Sequence, residues 1–89
     1  MIEWEPDPER PKWIQVTEII RRRIEDGTYA PRTPVPSIER IRQEFGVSRN
    51  TARKILRHLA FEGWVRPRPS MGTFVVPEHE RRPPEEEEG

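Results

Sequence analysis

Apolar residues recur along this chain first at helical spacing and later at strand spacing. Pro6, Pro8 and Pro11 forbid a helix before residue 11, and Pro11 itself suits a first helical turn. From there Trp13, Val16, Ile20 and Ile24 fall on one stripe of a helix. Arg21, Arg22 and Arg23 lie near its end, where cations favour the helix dipole, and Gly27 stops it, so the pattern predicts a helix over residues 12–26. Residues 28–36 hold Pro31, Pro34 and Pro36 and are expected to be irregular. Ser37 can cap a short helix over 38–45, with Ile38, Ile41 and Phe45 on one side and Gly46 as its end. Ser48 opens a third helix in the same way. Ala52, Ile55, Leu56, Leu59 and Ala60 form its apolar stripe, and Gly63 ends it.

Beyond Gly63 the period changes. Trp64 and Val65, then Thr73, Phe74, Val75 and Val76, are β-rich runs separated by Pro67, Pro69, Ser70 and Gly72. They predict a hairpin with a loop near residues 67–72, whose first strand ends early or lies at an edge because of its prolines. Two short helices joined by Gly46, Val47 and Ser48 form a helix-turn-helix. The fold class is therefore mainly α with a small β-hairpin: a winged helix-turn-helix of three helices plus a two-stranded wing. Residues 1–10 are expected to form an extended arm, residues 11–77 the domain, and residues 78–89 a disordered acidic tail. The expected core is Trp13, Val16, Ile20, Ile24, Ile41, Phe45, Val47, Leu56, Leu59, Val65 and Phe74, with Trp64 closing the helix–wing corner. Trp4 stands outside any pattern; packing of the arm and a dimer contact are both open to it.

Composition narrows the class. Eighty-nine residues suffice for one domain with a thin core. With no cysteine there are no disulfides and no thiolate metal sites. No apolar run approaches membrane-spanning length and no signal-peptide pattern opens the chain, so a cytoplasmic protein is expected. The formal net charge of zero conceals a segregation. Residues 10–68 carry 14 Arg or Lys against 6 Asp or Glu, a net of +8, while residues 1–9 and 69–89 each carry −4. A basic centre between acidic ends is what a surface facing a polyanion requires, although solvated helix faces would produce the same count.

Candidate chemistry lies at the start of the third helix, because the second helix of a helix-turn-helix enters the major groove by its N-terminal end. Arg49 can donate two hydrogen bonds to guanine, and Asn50 can bond adenine in the same bidentate way. Thr51 suits a phosphate or a thymine methyl, and Ser48 is chiefly a cap. Arg53, Lys54 and Arg57 lie opposite the apolar stripe and can reach phosphates, as can Arg66 and Arg68 near the wing. His58 reads as a surface residue or phosphate neighbour; with only His58 and His79 in the chain, a metal site is implausible. No catalytic constellation or phosphate-binding glycine loop is present, so neither an enzyme nor a cofactor is expected. A protein-docking winged helix would present apolar residues over 49–53, whereas this one presents Arg, Asn, Thr and Arg. Double-stranded RNA is disfavoured by an Arg-Asn pair on a groove-sized helix.

Five stretches in register also resemble the DNA-binding domain of GntR-family bacterial transcription regulators. They are Trp13-Ile14-Gln15-Val16, Val35-Pro36-Ser37, Gly46-Val47-Ser48-Arg49, Leu59-Ala60-Phe61-Glu62-Gly63-Trp64-Val65 and Gly72-Thr73-Phe74-Val75. The resemblance implies a dimer on a two-fold symmetric operator, with assembly only on DNA left open, and repression is expected rather than activation because no activation surface can be identified in the sequence. It implies DNA contacts from Ser48, Arg49, Asn50, Thr51 and Arg53, with Ser37 at the start of the second helix, and a wing tip of Ser70, Met71, Gly72 and Thr73 near the minor groove. The family usually carries Arg where Glu39 stands, a small apolar residue where Arg42 stands, and often a basic residue where Met71 stands. Members normally continue into an effector-binding domain; about 13 residues follow the wing strand here, so no effector domain is expected within this chain.

Overall fold

The computed structural model describes residues 5–81. Helices α1 (Lys12–Glu25), α2 (Ile38–Phe45) and α3 (Arg49–Phe61) precede a hairpin of β1 (Val65–Arg68) and β2 (Gly72–Val75), and a short 3-10 turn, Glu78–Glu80, follows. This is the expected order of a winged helix-turn-helix. Among the described residues no helix is long and apolar enough to cross a membrane.

Local signals account for the helix ends. The Ser37 hydroxyl accepts from the Arg40 N–H at 3.2 Å, and the Ser48 hydroxyl accepts from the Thr51 N–H at 3.1 Å. Each satisfies a donor that the first turn leaves without a partner. Gly46 closes α2 in the left-handed conformation, at φ 68° and ψ 34°, and its N–H donates to the Arg42 carbonyl at 2.8 Å. A side chain at that position would pay a steric penalty that glycine avoids. Val47 is buried between the two helices, so the three residues of the turn stop one helix, anchor the corner and cap the next.

The core forms where the stripes meet. Val16, Ile20 and Ile24 of α1 face Ile41 and Phe45 of α2 and Ala52, Ile55 and Leu59 of α3, with Val65 and Val75 closing the sheet side. Trp13, Leu56 and Trp64 pack against this cluster while remaining partly exposed. The expectation that Phe74 belongs to the core is corrected: it is half-buried and its neighbour Val75 points inward. Alternation gives the reason. Val65 pairs with Val75 on the inner face, which leaves Arg66 and Phe74, paired with each other, on the outer one.

Of the two outcomes expected for the proline-bearing first strand, the edge position holds: β1 pairs with β2 alone. β1 continues through Pro67 to Arg68, and only Pro69, Ser70 and Met71 form the loop. The Val76 N–H donates to the Trp64 carbonyl at 3.0 Å, flanking the Val65–Val75 pair, so alternation makes Pro67–Thr73 another pair that exchanges no hydrogen bonds. Residues 32–35, expected to be irregular, line the other edge of β2. Val35 N–H donates to the Thr73 carbonyl at 2.9 Å and Val75 N–H to the Thr33 carbonyl at 2.9 Å, so Pro34, opposite Phe74, again sits where no N–H is required. At the hairpin tip the Met71 N–H donates to the Arg68 carbonyl at 3.0 Å, and Ser70 takes φ 66°. Pro followed by a residue with positive φ is the order of a type II turn.

Both ends are tied down further than expected. Asp7 and Arg10 close a turn rather than an extended arm, because the buried Gln15 amide donates to both of their carbonyls at 2.9 Å and accepts from the Asp7 N–H at 2.7 Å. After the wing, Glu78–Glu80 is an ordered 3-10 turn, held by Glu80 to Arg32 at 2.6 Å. That guanidinium holds the Glu80 carboxyl below its ordinary range. The remainder of the expected tail, and Trp4, lie outside the described residues. Arg23, expected only to complement the helix dipole, joins the ends of α1 and α2. It pairs with Glu44 at 2.7 Å, donates to the Tyr29 hydroxyl at 2.7 Å and lies over the Phe45 ring at 5.5 Å. The bond to Glu44 pushes the Arg23 pKa further up.

Candidate nucleic-acid interface

The buried side of α3 is set by Ala52, Ile55 and Leu59, so its outer side carries Arg49, Asn50, Arg53 and Arg57, all exposed. Asn50, Arg53 and Arg57 make no hydrogen bond or ion pair with any described side chain, and their polar groups face solvent. The expected cluster of Arg49, Asn50, Thr51 and Arg53 is thus brought together on two turns of one helix. Ser48 and Thr51 are committed to each other. Besides the capping bond, the Ser48 hydroxyl donates to the Thr51 hydroxyl at 3.0 Å. The cap satisfies the Thr51 N–H at the end of α3 where the positive end of the helix dipole favours an anion.

Arg49 is not free. Its Nη2 donates to Glu39 Oε2 at 2.8 Å across the helix-turn-helix, and Arg42 Nη1 donates to both oxygens of the same carboxylate at 3.2 and 3.1 Å. Sequence reasoning noted Glu39 only as a departure from a pattern. Its partner lies ten positions away on another helix, beyond any local signal. Ser37, besides capping α2, is exposed at the start of that helix.

Two residues differ from their expected setting. Lys54 lies toward α1, with its ammonium 4.3 Å from the Trp13 ring centre. His58, one turn later, meets the same ring edge-on at 5.4 Å and places Nε2 3.1 Å from Glu62. Residues four apart share a helix face, so both side chains settle on the large ring that α1 offers. His58 is therefore half-buried against Trp13 and paired with Glu62 rather than freely exposed. Among the described residues no group of three or more His, Asp or Glu could hold a metal ion.

The wing supplies the remaining candidates. Arg68, Ser70, Met71 and Gly72 are exposed around the tip, and Met71 is 68% accessible. Thr73 is half-buried inside the sheet, with its carbonyl taken by Val35. Arg66 is exposed and lies 3.7 Å from Glu80, the partner also bound by Arg32. Sequence reasoning missed Lys12, whose ammonium donates to the Gly46 carbonyl at 3.2 Å, so that a third basic side chain stands beside the turn. Its place in the first turn of a helix, away from the arginine-rich segments, gave no sign of it.

Comparison with known proteins places this geometry in a family. Residues 14–75 match the family model described as bacterial regulatory proteins, gntR family. The HTH-type transcriptional repressor NagR of Bacillus subtilis is 35% identical over 65 residues, 73% of this chain and 27% of that protein. The uncharacterized HTH-type transcriptional regulator YieP of Escherichia coli is 38% identical over 63 residues, 71% of this chain and 27% of that protein. The chain therefore spans about a quarter of the length of these curated relatives. Among solved structures, the DNA-binding domain of AraR in complex with operator ORE1 superposes with a TM-score of 0.74 at 32% identity, covering 85% of this chain and 98% of that one. The same domain with operator ORR3 gives 0.71 at 33% identity, covering 85% and 95%. With the helix-turn-helix, the wing and the family match coinciding over the same residues, the chain belongs to the gntR family of bacterial regulatory proteins.

Proposed function

We propose that this chain is the operator-binding module of a transcription regulator, reading duplex DNA with the N-terminal end of α3 and steadying itself through the wing. The observation that carries this reading is the outer face of α3. Asn50, Arg53 and Arg57 stand exposed there without partners among the described side chains, on a helix whose opposite face is locked into the core. A folded domain has no use of its own for such a row, whereas a groove lined by base edges and flanked by phosphates does. Arg49 and Asn50 take the base edges, Arg53 and Arg57 the phosphates, and Thr51, Ser48 and Ser37 the backbone at the helix starts. Lys54 reaches phosphate only by leaving Trp13. Arg66 and Arg68 follow the backbone beside the wing, while Ser70, Met71, Gly72 and Thr73 approach the minor groove. The likeness to a domain solved on its operators supports the same mode of docking.

The module binds and does not catalyse. It acts in the cytoplasm, where its DNA lies, and represses. It binds as a homodimer on a two-fold symmetric site, because one recognition helix spans only one half-site.

Salt dependence tests the phosphate assignments. The logarithm of affinity should fall linearly with the logarithm of salt concentration, with a slope near 0.9 per phosphate contact. Arg53→Ala and Arg57→Ala are each expected to reduce that slope by about 1 in fluorescence-anisotropy titrations, equally on all duplexes. A slope that stays the same in both variants, with helicity intact, removes these two residues from the interface.

A further inference from the structure

One carboxylate stands in the middle of this basic surface, and its placement calls for a physical account. Glu39 lies in the first turn of α2 and is bound by arginines from both helices of the pair, Arg42 on its own helix and Arg49 at the start of α3. The Glu39 and Arg49 side chains are 54% and 53% exposed. An ion pair so open to water contributes little to folding. It also lowers the positive potential at the point where a polyanion would approach. Its place in the first turn of α2 suits the helix dipole, a gain that needs no contact with Arg49, while general DNA affinity opposes an acid at this position.

Geometry offers a third role. Guanidinium has five N–H donors in a rigid fork, and Glu39 engages Arg49 through one terminal nitrogen, Nη2. Among the described residues the remaining donors have no partner, while the pair biases the long side chain, otherwise free to sample many rotamers, toward one orientation. Arg42 braces the carboxylate from its own helix, so the anchor is itself anchored.

We propose that Glu39 is a specificity-determining positioning residue: it holds Arg49 in the orientation that takes a guanine edge and penalises complexes in which Arg49 turns away to a phosphate. In those complexes Glu39 would face the DNA backbone with Arg42 but without Arg49, a less neutralised carboxylate whose repulsion acts against wrong sites more than right ones. The inference rests on the assignment of Arg49 as a base contact made above. It concerns discrimination between duplexes, not affinity as such.

The test is a double-mutant cycle read on two duplexes. Wild type, Glu39→Gln, Arg49→Ala and the double variant are titrated at one salt concentration against the best duplex recovered from a random library by the wild-type chain, and against its scrambled counterpart. Glu39→Gln keeps the size of the side chain and removes its charge, and thermal melting checks that the fold is retained. Glu39→Gln is expected to bind the scrambled duplex more tightly and the selected one no better. The ratio of the two affinities then falls about tenfold, within the range that a bidentate base contact can supply. In the Arg49→Ala background the same change should alter both duplexes by one common factor and leave the ratio untouched.

Equal tightening on both duplexes in the wild-type background overturns the proposal, because Glu39 then acts only as a charge. A ratio that still falls when Arg49 is absent overturns it as well, because the effect does not run through Arg49. Failure of the underlying reading has its own signature. Either wild type shows no preference between the duplexes, or it keeps its full preference after Arg49→Ala.

Discussion

Phe45→Ala is expected to lower folding stability by about 3–5 kcal/mol, the usual range for truncating a buried phenylalanine. Phe45 is 1% exposed and is among the largest side chains that are fully buried. It sits at the last position of α2, where it meets the core from below the helix-turn-helix corner, and the Arg23 guanidinium covers its ring. Alanine would leave a cavity and also remove the surface on which Arg23 rests. Domains of this size have a total stability near the low end of about 5–15 kcal/mol, so the variant is expected to be largely unfolded at moderate temperature. Each kcal/mol moves the midpoint by about 4–8 °C, so thermal melting followed by circular dichroism should register a drop of more than about 12 °C. Phe61→Ala serves as the control. Phe61 is 67% exposed, and its loss should change stability by less than about 0.5 kcal/mol. Comparable losses in the two variants would mean that the core is misplaced.

The second large effect is functional. Arg49→Ala is expected to remove about 1–3 kcal/mol of discrimination between a selected duplex and a scrambled one, the value of one bidentate contact to guanine. Folding should be little affected, because Arg49 is exposed and, among the described residues, its side chain is paired with the exposed Glu39 alone. Competition titrations measure the ratio directly. Asn50→Ala should act in the same direction at a different base position, since the two side chains project from adjacent residues of one helix start. If Arg49→Ala weakened both duplexes by one factor, Arg49 would be a phosphate contact and the base reading would pass to Asn50 and Thr51.

The helix boundaries were legible because their causes are local. Ser37 and Ser48 each cap within three residues, and Gly46 stops α2 by its own conformation. The stripes of α1 and α3 needed only the helical period. What escaped was set by partners far along the chain. Residues 32–35 read as irregular because proline lacks a donor, yet Pro34 and Pro67 sit opposite Phe74 and Thr73 at positions where the ladder requires none. Phe74 read as core because it is large and apolar, but the register with Arg66 turned it outward. Gln15, an ordinary polar residue in a helix, gathers the Asp7–Arg10 turn.

The candidate site followed the same division. Its position at the start of α3 comes from topology and was visible in the order of helices. The exposure of Asn50, Arg53 and Arg57 follows from the stripe on the opposite face. The attachment of Lys54 and His58 to Trp13, and of Arg49 to Glu39, depends on how α3 packs against α1 and α2. No spacing rule within α3 alone could supply those contacts.

The most direct test of the central claim is selection from a random library of duplexes by the intact chain at moderate salt, run in parallel with Arg49→Ala. The account predicts that wild type enriches a motif with guanine and adenine at neighbouring positions, repeated with two-fold symmetry at a spacing of about one helical turn or a multiple of it. It predicts that Arg49→Ala loses the guanine preference and keeps the fold. Recovery of no motif by wild type, or of the same motif by both proteins, would contradict it.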